Sequence, residues 1–211
     1  MTINWYGQSC FRVESKGVSL LFDPFSKEIG LRTPRLNDNV FLVTHEHYDH
    51  NNVKDAPNEA FVIHGPGEYE KSGVYVEGIL SHHDNSQGVE RGLNTIYVVR
   101  MEDIRLCHMG DFGQAKLTDE QLEAIGDIDV LFIPVGGKYT INGSEAADIV
   151  REIEPKIVIP MHYKIPDLNV DIEGPQKFLK EMGIKPEEVE TLRIAKKTLP
   201  QEEIKLVIFK L

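Results

Sequence analysis

Residue types that commonly bind metals are concentrated at positions 44–50, directly after an apolar run at positions 40–43. This segment reads H-x-H-x-D-H and holds three histidines and two acidic residues within six positions. Neutral imidazole is the commonest metal ligand in proteins, and a neighbouring carboxylate suits a hard or borderline divalent cation. If the apolar run is a buried strand, the chain turns at its end and several of these side chains can converge. A solvated polar turn is the alternative, but such a turn needs no concentration of ligand types.

The spacing divides the candidate ligands of this segment into two pairs. His45 lies two positions before His47, and Asp49 is adjacent to His50. One metal ion cannot easily use all four side chains, whereas two neighbouring ions can. The pattern therefore suggests a centre for two divalent metal ions.

The H-x-H-x-D-H segment resembles the signature of the metallo-β-lactamase superfamily. The resemblance implies three more ligands downstream: a histidine, an aspartate, and a last histidine near the end of a strand. The chain offers His82 or His83, then Asp111, then His162 in that order. We favour His83, because its segment with Gly88 is closer to the family pattern. On an alternating strand only one of the two adjacent histidines can face the metals, and His82 remains the alternative.

The resemblance also implies a role for each ligand. His45, His47 and the later histidine would hold one cation, and Asp49, His50 and His162 would hold the other. Asp111 would bridge the two, and Asp49 would also steer the attacking water. Asp23, at the end of an early apolar run, would support the metal-binding loop from outside the ligand set. The implied metal ligands are His45, His47, Asp49, His50, His83, Asp111 and His162.

Two metals of this kind predict hydrolysis. Two divalent cations about 3.5–4 Å apart lower the pKa of a shared water and polarise a substrate carbonyl or phosphoryl oxygen. Zinc is the first choice for both sites, and manganese or iron the next, because histidine with carboxylate does not select sharply among them. The expected substrate is a small ester, lactone or phosphoester. Within the superfamily, the chain is most similar to the short branch that includes the L-ascorbate-6-phosphate lactonase-like proteins.

The pattern of segments predicts an α/β fold. Short β-like runs with glycines between them dominate the first half, and Lys16-Gly17 and Glu102-Asp103 are typical of hairpin turns. Helices are predicted over residues 117–125, after a capping-box pattern at Thr118, and over residues 144–153 and 176–182. The resemblance implies an αββα four-layer sandwich, in which two packed mixed sheets carry helices on their outer faces. Residues 1–211 are expected to form one domain.

Composition narrows the classes of function. The chain has 211 residues, 41% of them hydrophobic, and no apolar run long enough to span a membrane. It lacks the pattern of a secretory signal, and its two cysteines, Cys10 and Cys107, lie in apolar stretches, so a cytoplasmic protein is expected. The net charge of -11 counts against nucleic-acid partners, and the Lys196-Lys197 pair is interpreted as a solvated turn. A small molecule is the expected partner, and a homo-oligomer stays open.

Two other classes of function compete with small-molecule hydrolysis. One is a nuclease of the same superfamily acting on RNA or DNA, which the acidity of the chain disfavours. The other is a non-hydrolytic metal-binding or redox protein. The redox relatives typically replace the second histidine of the motif by glutamate, whereas His47 is present here.

Several residues near the motifs allow two interpretations. The turn-rich segment with His64, Glu68 and Tyr69 either borders the site or packs through its prolines and glycines. His108 is expected to pack rather than bind metal. Asp84, Asn85 or Ser86 is a candidate to orient a ligating imidazole. Lys138 and Lys164, together with backbone amides at residues 136–140, either pair with an anionic substrate group or lie in solvent.

Overall fold

The first sheet is built from short segments rich in branched and aromatic apolar residues, which favour a pleated and buried backbone. The computed structural model describes residues 1–211. Across this sheet the strands are β13 (Leu192–Arg193), β1 (Thr2–Trp5), β2 (Phe11–Ser15), β3 (Val18–Phe22), β4 (Val40–Val43) and β5 (Phe61–His64). Strands β1 to β3 pair antiparallel, and β3, β4 and β5 pair in parallel.

The second sheet has eight strands and is also mixed. Across it lie β12 (Glu187–Val189), β14 (Lys205–Phe209), β11 (Ile157–Met161), β10 (Val130–Pro134), β9 (Ile104–His108), β8 (Leu93–Met101), β7 (Val74–His82) and β6 (Gly67–Lys71). The strands from β9 through β10, β11 and β14 to β12 are parallel, and those from β6 to β9 are antiparallel. Both sheets are therefore mixed, as predicted.

The strands of the first sheet alternate between two cores. Leu20 and Phe22 of β3 face the second sheet, where the ring of Phe22 lies 6.1 Å from that of Phe132 on β10. Leu21 of β3 and Phe41 of β4 point the other way, into a smaller cluster. Because successive side chains of a strand point to opposite faces, a continuous apolar run indicates burial on both sides.

The three α-helices have the predicted end signals. They are α1 (Asp119–Ile125), α2 (Gly143–Ile153) and α3 (Gln176–Met182). The predicted capping box of α1 is confirmed, since the Gln121 amide donates to Thr118 Oγ1 at 3.2 Å and the Gln121 side chain accepts from the Thr118 amide. Helix α1 begins two residues later than predicted, because Thr118 is its N-cap, and helix α2 begins one residue earlier, because Asn142 forms its N-cap. Gly183 ends α3 in the left-handed conformation with φ 64°.

The helices contact the second sheet, and other segments cover the first. Helix α1 contacts β7, and α2 contacts β10 and α3. The outer face of the first sheet is covered by Phe25, by Ile29 of the 3-10 helix Lys27–Ile29, and by Leu168 and Ile172 of a late loop. The outer layer on this side is thus a 3-10 helix with loops. None of the helices has the length and apolar composition required to cross a lipid bilayer.

The two predicted hairpin turns are confirmed by their backbone angles. Lys16 and Gly17 have φ 49° and 81°, and Glu102 and Asp103 have φ 54° and 61°. Two successive positive φ values are typical of the tight turns whose twist matches that of paired strands.

Two sequence interpretations of surface segments were wrong. The segment around Glu68 and Tyr69 was expected to be a loop, but β6 is the edge strand of the second sheet, paired with β7. Lys196 was expected in a solvated turn, but it begins the 3-10 helix Lys196–Thr198, and its Nζ lies 2.8 Å from Oδ2 of buried Asp129. Both segments are rich in charged residues, so neither the strand nor the 3-10 helix was evident from the sequence.

Four of the strands end close to one another at one edge of the sandwich. His45 follows β4, His83 follows β7, Asp111 follows β9, and His162 follows β11. Chain segments that leave neighbouring strands can aim side chains into a common crevice at the sheet edge. The fold therefore carries all of the predicted metal ligands to one place.

Candidate metal centre

The segment after β4 forms a tight turn that brings its histidines together. The amides of His50 and Asn51 both donate to the carbonyl of His47, at 2.9 and 3.0 Å. The ring of His45 lies 4.6 Å from that of His47 and 4.2 Å from that of His50. A ring from the second sheet, that of His83, lies 4.7 Å from His45. The two sheets thus contribute imidazoles to the same cluster.

Asp111 lies at the centre of this cluster. Its Oδ2 is 3.1 Å from His162 Nε2, 3.2 Å from His83 Nε2 and 3.9 Å from His45 Nε2. Its Oδ1 is 3.3 Å from His50 Nε2. A carboxylate within 4 Å of four imidazoles is placed where the predicted bridge between two cations would be.

The predicted ligands fall into two groups joined by a third. In each group, one potential ligand atom from every residue lies within 4.8 Å of the others. The first group is His45, His47 and His83; the second is Asp49, His50 and His162; the third is His45, His50 and Asp111. The structure therefore brings together all seven residues that the sequence singled out.

The donor set fits divalent cations, and several of its buried atoms form no hydrogen bond. Three of these atoms, His45 Nε2, His50 Nε2 and Asp111 Oδ1, lie together in one group of potential ligands. Leaving a buried polar atom unpaired costs about 1–3 kcal/mol. Imidazole nitrogens with carboxylate oxygens suit zinc, manganese or iron. Cations held among these atoms would satisfy them.

The electrostatics of the cluster favour an ionised Asp111. Burial alone would raise the pKa of Asp111, but the imidazoles of His162 and His50 hold it well below its ordinary value. Burial lowers the pKa of His45 and His47, and neighbouring imidazoles lower it further, so both rings are neutral and able to bind metal. Burial also opposes a charge on His50, yet three nearby carboxylates raise its pKa well above the ordinary value.

Asp23 supports the metal-binding loop from behind, as the family resemblance implies. Its Oδ1 accepts a hydrogen bond from the Thr44 amide and its Oδ2 one from the Thr44 hydroxyl, both at 2.8 Å. The same Oδ2 lies 3.0 Å from His50 Nδ1. This contact is within ion-pair distance but is not aligned as a hydrogen bond. Asp23 therefore supports His50 from behind through its charge, while Nε2 of the ring lies 3.3 Å from Asp111 Oδ1.

Gln8 holds the other side of the site, and sequence reasoning missed it. Its side-chain Nε2 donates to Asp49 Oδ2 at 2.9 Å, and its backbone carbonyl accepts from the His162 amide at 3.1 Å. The indole of Trp5 donates to the same carbonyl. Gln8 is fully buried and has a left-handed φ of 51°. A lone glutamine 41 positions before its partner gives no local signal in the sequence.

Asn94 fixes the position of Asp111 and was also missed. Its Oδ1 accepts from the Asp111 amide at 3.0 Å, and its Nδ2 donates to Ser81 Oγ and to the Met109 carbonyl. Gly110 makes this approach possible, since it has φ 56° and a Cβ there would lie 2.4 Å from Asn94 Oδ1. Only glycine accepts both the left-handed angle and the close contact.

The structure places His83, and not His82, in the cluster. His83 is 2% exposed with its Nε2 beside Asp111, whereas His82 is the last residue of β7 and belongs to none of the three groups. Gly113 packs against His83 so closely that a Cβ there would lie 2.4 Å from the His83 carbonyl carbon. Tight packing on the chain after β9 therefore holds His83 in place.

Asp84 does not orient an imidazole, contrary to one sequence expectation. Its carboxylate instead accepts backbone N–H groups of the loop that follows, at residues 86, 88, 90 and 91. These bonds lower the pKa of Asp84 to about 2, although desolvation opposes the shift. Ser86 donates to Glu90, and Asn85 accepts from the Ala115 amide, so neither orients a ligand.

His108 packs, as expected, and both cysteines are buried. The His108 ring stacks on Phe22 at 4.6 Å, and its Nε2 lies 2.8 Å from the carbonyl of Ser9. Burial lowers the pKa of His108, so the ring is neutral. Cys10 and Cys107 are free, and burial raises the pKa of Cys107 to about 12. Neither cysteine belongs to any of the three groups of potential ligands.

His64 borders the site, whereas Glu68 and Tyr69 do not. His64 Nδ1 lies 2.7 Å from Oε1 of Glu46, and both residues line a cavity beside His45. Glu68 and Tyr69 line a separate cavity on the outer part of the second sheet. The two halves of this segment therefore differ in role.

The two lysines that were candidates to bind an anionic substrate group have other partners in the chain. Lys138 Nζ lies 2.5 Å from Asp171 Oδ2, and Lys164 Nζ donates to the carbonyls of Leu168 and Val170. The amides of Tyr139 and Thr140 are bonded to the carbonyl of Gly137 within their own turn. The loop is thus stabilised by hydrogen bonds within its own turn and by the ion pair between Lys138 and Asp171.

Two adjoining cavities open at the cluster. The larger has a volume of about 540 Å³ and is lined by His47, Tyr48, Asp49, His83, Glu90, Arg91, Asp111, Tyr139, His162, Asn169, Val170 and Asp171. The smaller, about 440 Å³, lies beside His45 and His47 and has Leu80 and Leu93 in its wall. Cavities of this size accommodate small molecules.

The comparisons with known proteins all indicate the same superfamily. The family model of the β-lactamase superfamily domain matches residues 2–162. A UPF0173 protein of Pyrococcus furiosus is 30% identical, with 86% of this chain and 90% of that protein covered. A UPF0173 metal-dependent hydrolase of Pyrococcus horikoshii is 29% identical, with 97% of this chain and 99% of that protein covered.

A solved structure agrees with these relatives over nearly the whole chain. It is a candidate Zn-dependent hydrolase of the metallo-β-lactamase superfamily from Thermotoga maritima, with a TM-score of 0.80 and 32% identity. The similarity covers 99% of this chain and 97% of that chain. None of these comparisons singles out the ascorbate-lactonase-like branch.

Proposed function

Because the chain belongs to the metallo-β-lactamase superfamily and, within it, to the UPF0173 family, we propose that it hydrolyses a small ester, lactone or phosphoester at a centre of two divalent cations. The coarser activity is that of a metal-dependent hydrolase. The substrate class and the number of cations are our proposal.

In this proposal each cation has its own set of side chains. His45, His47 and His83 would hold one, and Asp49, His50 and His162 the other. Asp111 lies between the groups, with Oδ2 near His83 and His162 and Oδ1 near His50. Zinc is the first choice, and manganese or iron the next.

Two cations bound there would lower the pKa of water and stabilise negative charge on the substrate. The side chains of the protein then have distinct tasks. Gln8 holds one oxygen of Asp49, and the carboxylate would contact its cation and also accept a hydrogen bond that orients the attacking water. Asp23 and Asn94 hold the positions of His50 and Asp111.

The observation that carries this proposal is the surroundings of Asp111. Its buried carboxylate is within 4 Å of four imidazoles, and its Oδ1 has no hydrogen-bond partner. A carboxylate whose only role is structural would be satisfied by donors in the chain. The arrangement therefore favours a bridging ligand over a packing role.

Small molecules fit this site better than nucleic acids. The chain carries a net charge of -11, and Glu90 and Asp171 line the larger cavity. A polyanionic strand would meet these carboxylates without a basic surface to offset them.

The test is hydrolysis by protein purified with its metal. We expect turnover of at least one member of a panel of small esters, lactones and phosphoesters, with loss after chelation and recovery on adding zinc or manganese. Asp49→Asn should keep the fold and lose most of the turnover, whereas Asp55→Asn, on an exposed loop, should keep it. Turnover that survives chelation, or that is equal in both variants, would refute the assignment.

A further inference from the structure

One cationic side chain borders both cavities at the candidate metal centre. Arg91 is the only lysine or arginine among the residues that line either the larger or the smaller cavity. It lies on the loop that directly follows His83. A guanidinium is always charged and presents several N–H donors in a planar fork that matches carboxylate or phosphate oxygens.

The loop that carries Arg91 is built around the Asp84 carboxylate. Oδ1 accepts the amides of Ser86 and Gly88 at 2.7 and 2.9 Å, and Oδ2 those of Glu90 and Arg91 at 3.0 and 2.8 Å. Asp84 is 3% exposed. Four backbone bonds to one buried carboxylate give the loop a defined conformation.

The loop is also joined to the metal centre through its backbone. The amide of His83 donates to the carbonyl of Gly92 at 3.1 Å. Arg91 therefore has a fixed position relative to the candidate ligand His83. A side chain whose backbone is positioned in advance loses less entropy when it binds a ligand.

The guanidinium of Arg91 has no strong partner within the chain. Its nearest carboxylate oxygen, Glu90 Oε2, is 3.6 Å from NH1, which is beyond hydrogen-bond distance. The guanidinium lies over the ring of Tyr139, with 5.8 Å between its carbon and the ring centroid. Lys138, by contrast, is paired with Asp171. Arg91 thus retains donors for a ligand.

Apart from the group that contacts the candidate metal centre, the charge around the cleft favours one anionic group on the ligand. Glu90 and Asp171 line the same cavity as Arg91, and Glu46 lines the smaller one. A second anionic group on the ligand would lie near one of these carboxylates, where like charges repel. A single carboxylate or phosphate meeting Arg91 avoids that repulsion.

We propose that Arg91 recognises an anionic group of the substrate, so that the preferred substrates are small ester or lactone molecules carrying one carboxylate or phosphate away from the bond that is cleaved. This inference deepens the proposed function and rests on it for the hydrolytic step. Arg91 acts in specificity, and the cleavage itself is left to the metal centre.

Binding of product-like acids separates recognition from hydrolysis. The probes are succinate, glutarate and adipate, each compared with the monocarboxylate of the same length, and 6-phosphonohexanoate compared with hexanoate. Titration calorimetry would use the metal-loaded protein. Within each pair one carboxylate is common, so the difference in affinity reports the second anionic group. The variants are Arg91→Gln and Arg91→Lys, with Arg32→Gln, an exposed arginine outside both cavities, as the matched control.

We expect at least one doubly anionic probe to bind about tenfold tighter than its partner, as one charge-assisted contact provides. The preference should disappear in Arg91→Gln, recover in part in Arg91→Lys, and persist in Arg32→Gln. A preferred phosphonate would identify phosphate as the recognised group, and a preferred dicarboxylate would identify carboxylate.

Two outcomes would overturn the inference. One is equal binding of both members of every pair by the wild-type protein. The other is an Arg91→Gln variant that weakens both members by the same factor, since that indicates a structural role. Failure of the proposed function is separate: it would appear as absent hydrolysis together with a binding preference that still depends on Arg91.

Discussion

The three carboxylates at the candidate metal centre differ in burial and in their proposed roles. Asp111 is at the middle, beside four imidazoles. Asp49 lies at the edge, where Gln8 holds one of its oxygens. Asp23 is fully buried behind His50 and ties that ring to Thr44. The proposed function thus gives bridging, steering and orientation to three different residues.

Gln8→Ala tests whether the orientation of Asp49 matters. Without the amide of Gln8, Asp49 keeps its charge but loses the bond that fixes one oxygen. We expect kcat to fall about 10- to 100-fold, the range typical of losing a group that orients a metal-site residue. Steady-state kinetics on the best ester of the panel would measure it.

Two controls accompany this variant. Gln201→Ala removes an amide that donates to the carbonyl of Leu199 and lines neither cavity at the candidate metal centre, and it should leave kcat nearly unchanged. Metal content should remain that of the wild-type protein in both variants. A Gln8→Ala variant with unchanged kcat would show that Asp49 needs no such support.

Sequence reasoning identified the candidate ligands that the structure brings together, and it missed the residues that position them. The H-x-H-x-D-H segment is local, so its chemistry is visible without any knowledge of the fold. Gln8 bonds to a residue 41 positions away, and Asn94 bonds to a residue 17 positions away. Both hydrogen bonds form only after the sheets have packed. Asp84 was a candidate to orient a ligating imidazole, but its partners are backbone amides, which the sequence does not reveal.

At the scale of elements, the loop after β7 depends on the charge of Asp84. Asp84→Ala removes the acceptor of four backbone N–H groups. We expect faster amide exchange at residues 86–91 and weaker binding of anionic probes, with metal content retained. Hydrogen exchange followed by mass spectrometry would measure the loop directly, and Asp55→Ala on an exposed loop is the control. Unchanged exchange in Asp84→Ala would contradict this role.

The same loop should respond to acid in a defined window. The folded pKa of Asp84 is lowered from 3.8 to about 2. A lowered folded pKa means that the carboxylate stabilises the loop fully above its unfolded pKa, and that this contribution is lost as pH falls towards 2. Protection of residues 86–91 should therefore fall between about pH 4 and pH 2 in the wild-type protein. Asp84→Asn should lack this pH dependence, and a variant that kept it would assign the effect to another group.

Helix and strand positions were predictable where the local signals were strong. The Thr118 capping box and Gly183 mark helix ends through their own chemistry. Edge strand β6 is rich in charged residues and has few apolar ones, so tertiary contacts decide its pairing with β7. Strand β14 has a clear apolar run that could have been identified from the sequence.

At the scale of the whole molecule, Asp129 joins distant parts of the second sheet. Its carboxylate accepts from the Arg105 amide at 2.9 Å and lies 2.7 Å from Lys156 Nζ and 2.8 Å from Lys196 Nζ. Burial opposes ionisation, but these donors lower the pKa of Asp129. The residue thus connects β9, the start of β11 and the 3-10 helix Lys196–Thr198.

Asp129→Asn should destabilise the fold at neutral pH. We expect a loss of about 1–3 kcal/mol in the free energy of unfolding, because a nearly buried acceptor of charged donors is weakened. Since its folded pKa is lowered, this contribution is present above its unfolded pKa of 3.8 and is lost as pH falls below it. Urea unfolding at pH 7 and near pH 3 would show the difference between variant and wild type shrinking in acid. A difference that is equal at both pH values would contradict the assignment.

The number of metals bound per chain tests the central claim most directly. Elemental analysis would be run on wild-type protein, on Asp111→Asn, and on Asp119→Asn as a control whose carboxylate begins helix α1 away from the cluster. We predict about two divalent cations per chain in the wild type and in the control, and the loss of at least one in Asp111→Asn. No more than one tightly bound metal in the wild type under saturating conditions, or full occupancy in Asp111→Asn, would contradict the account.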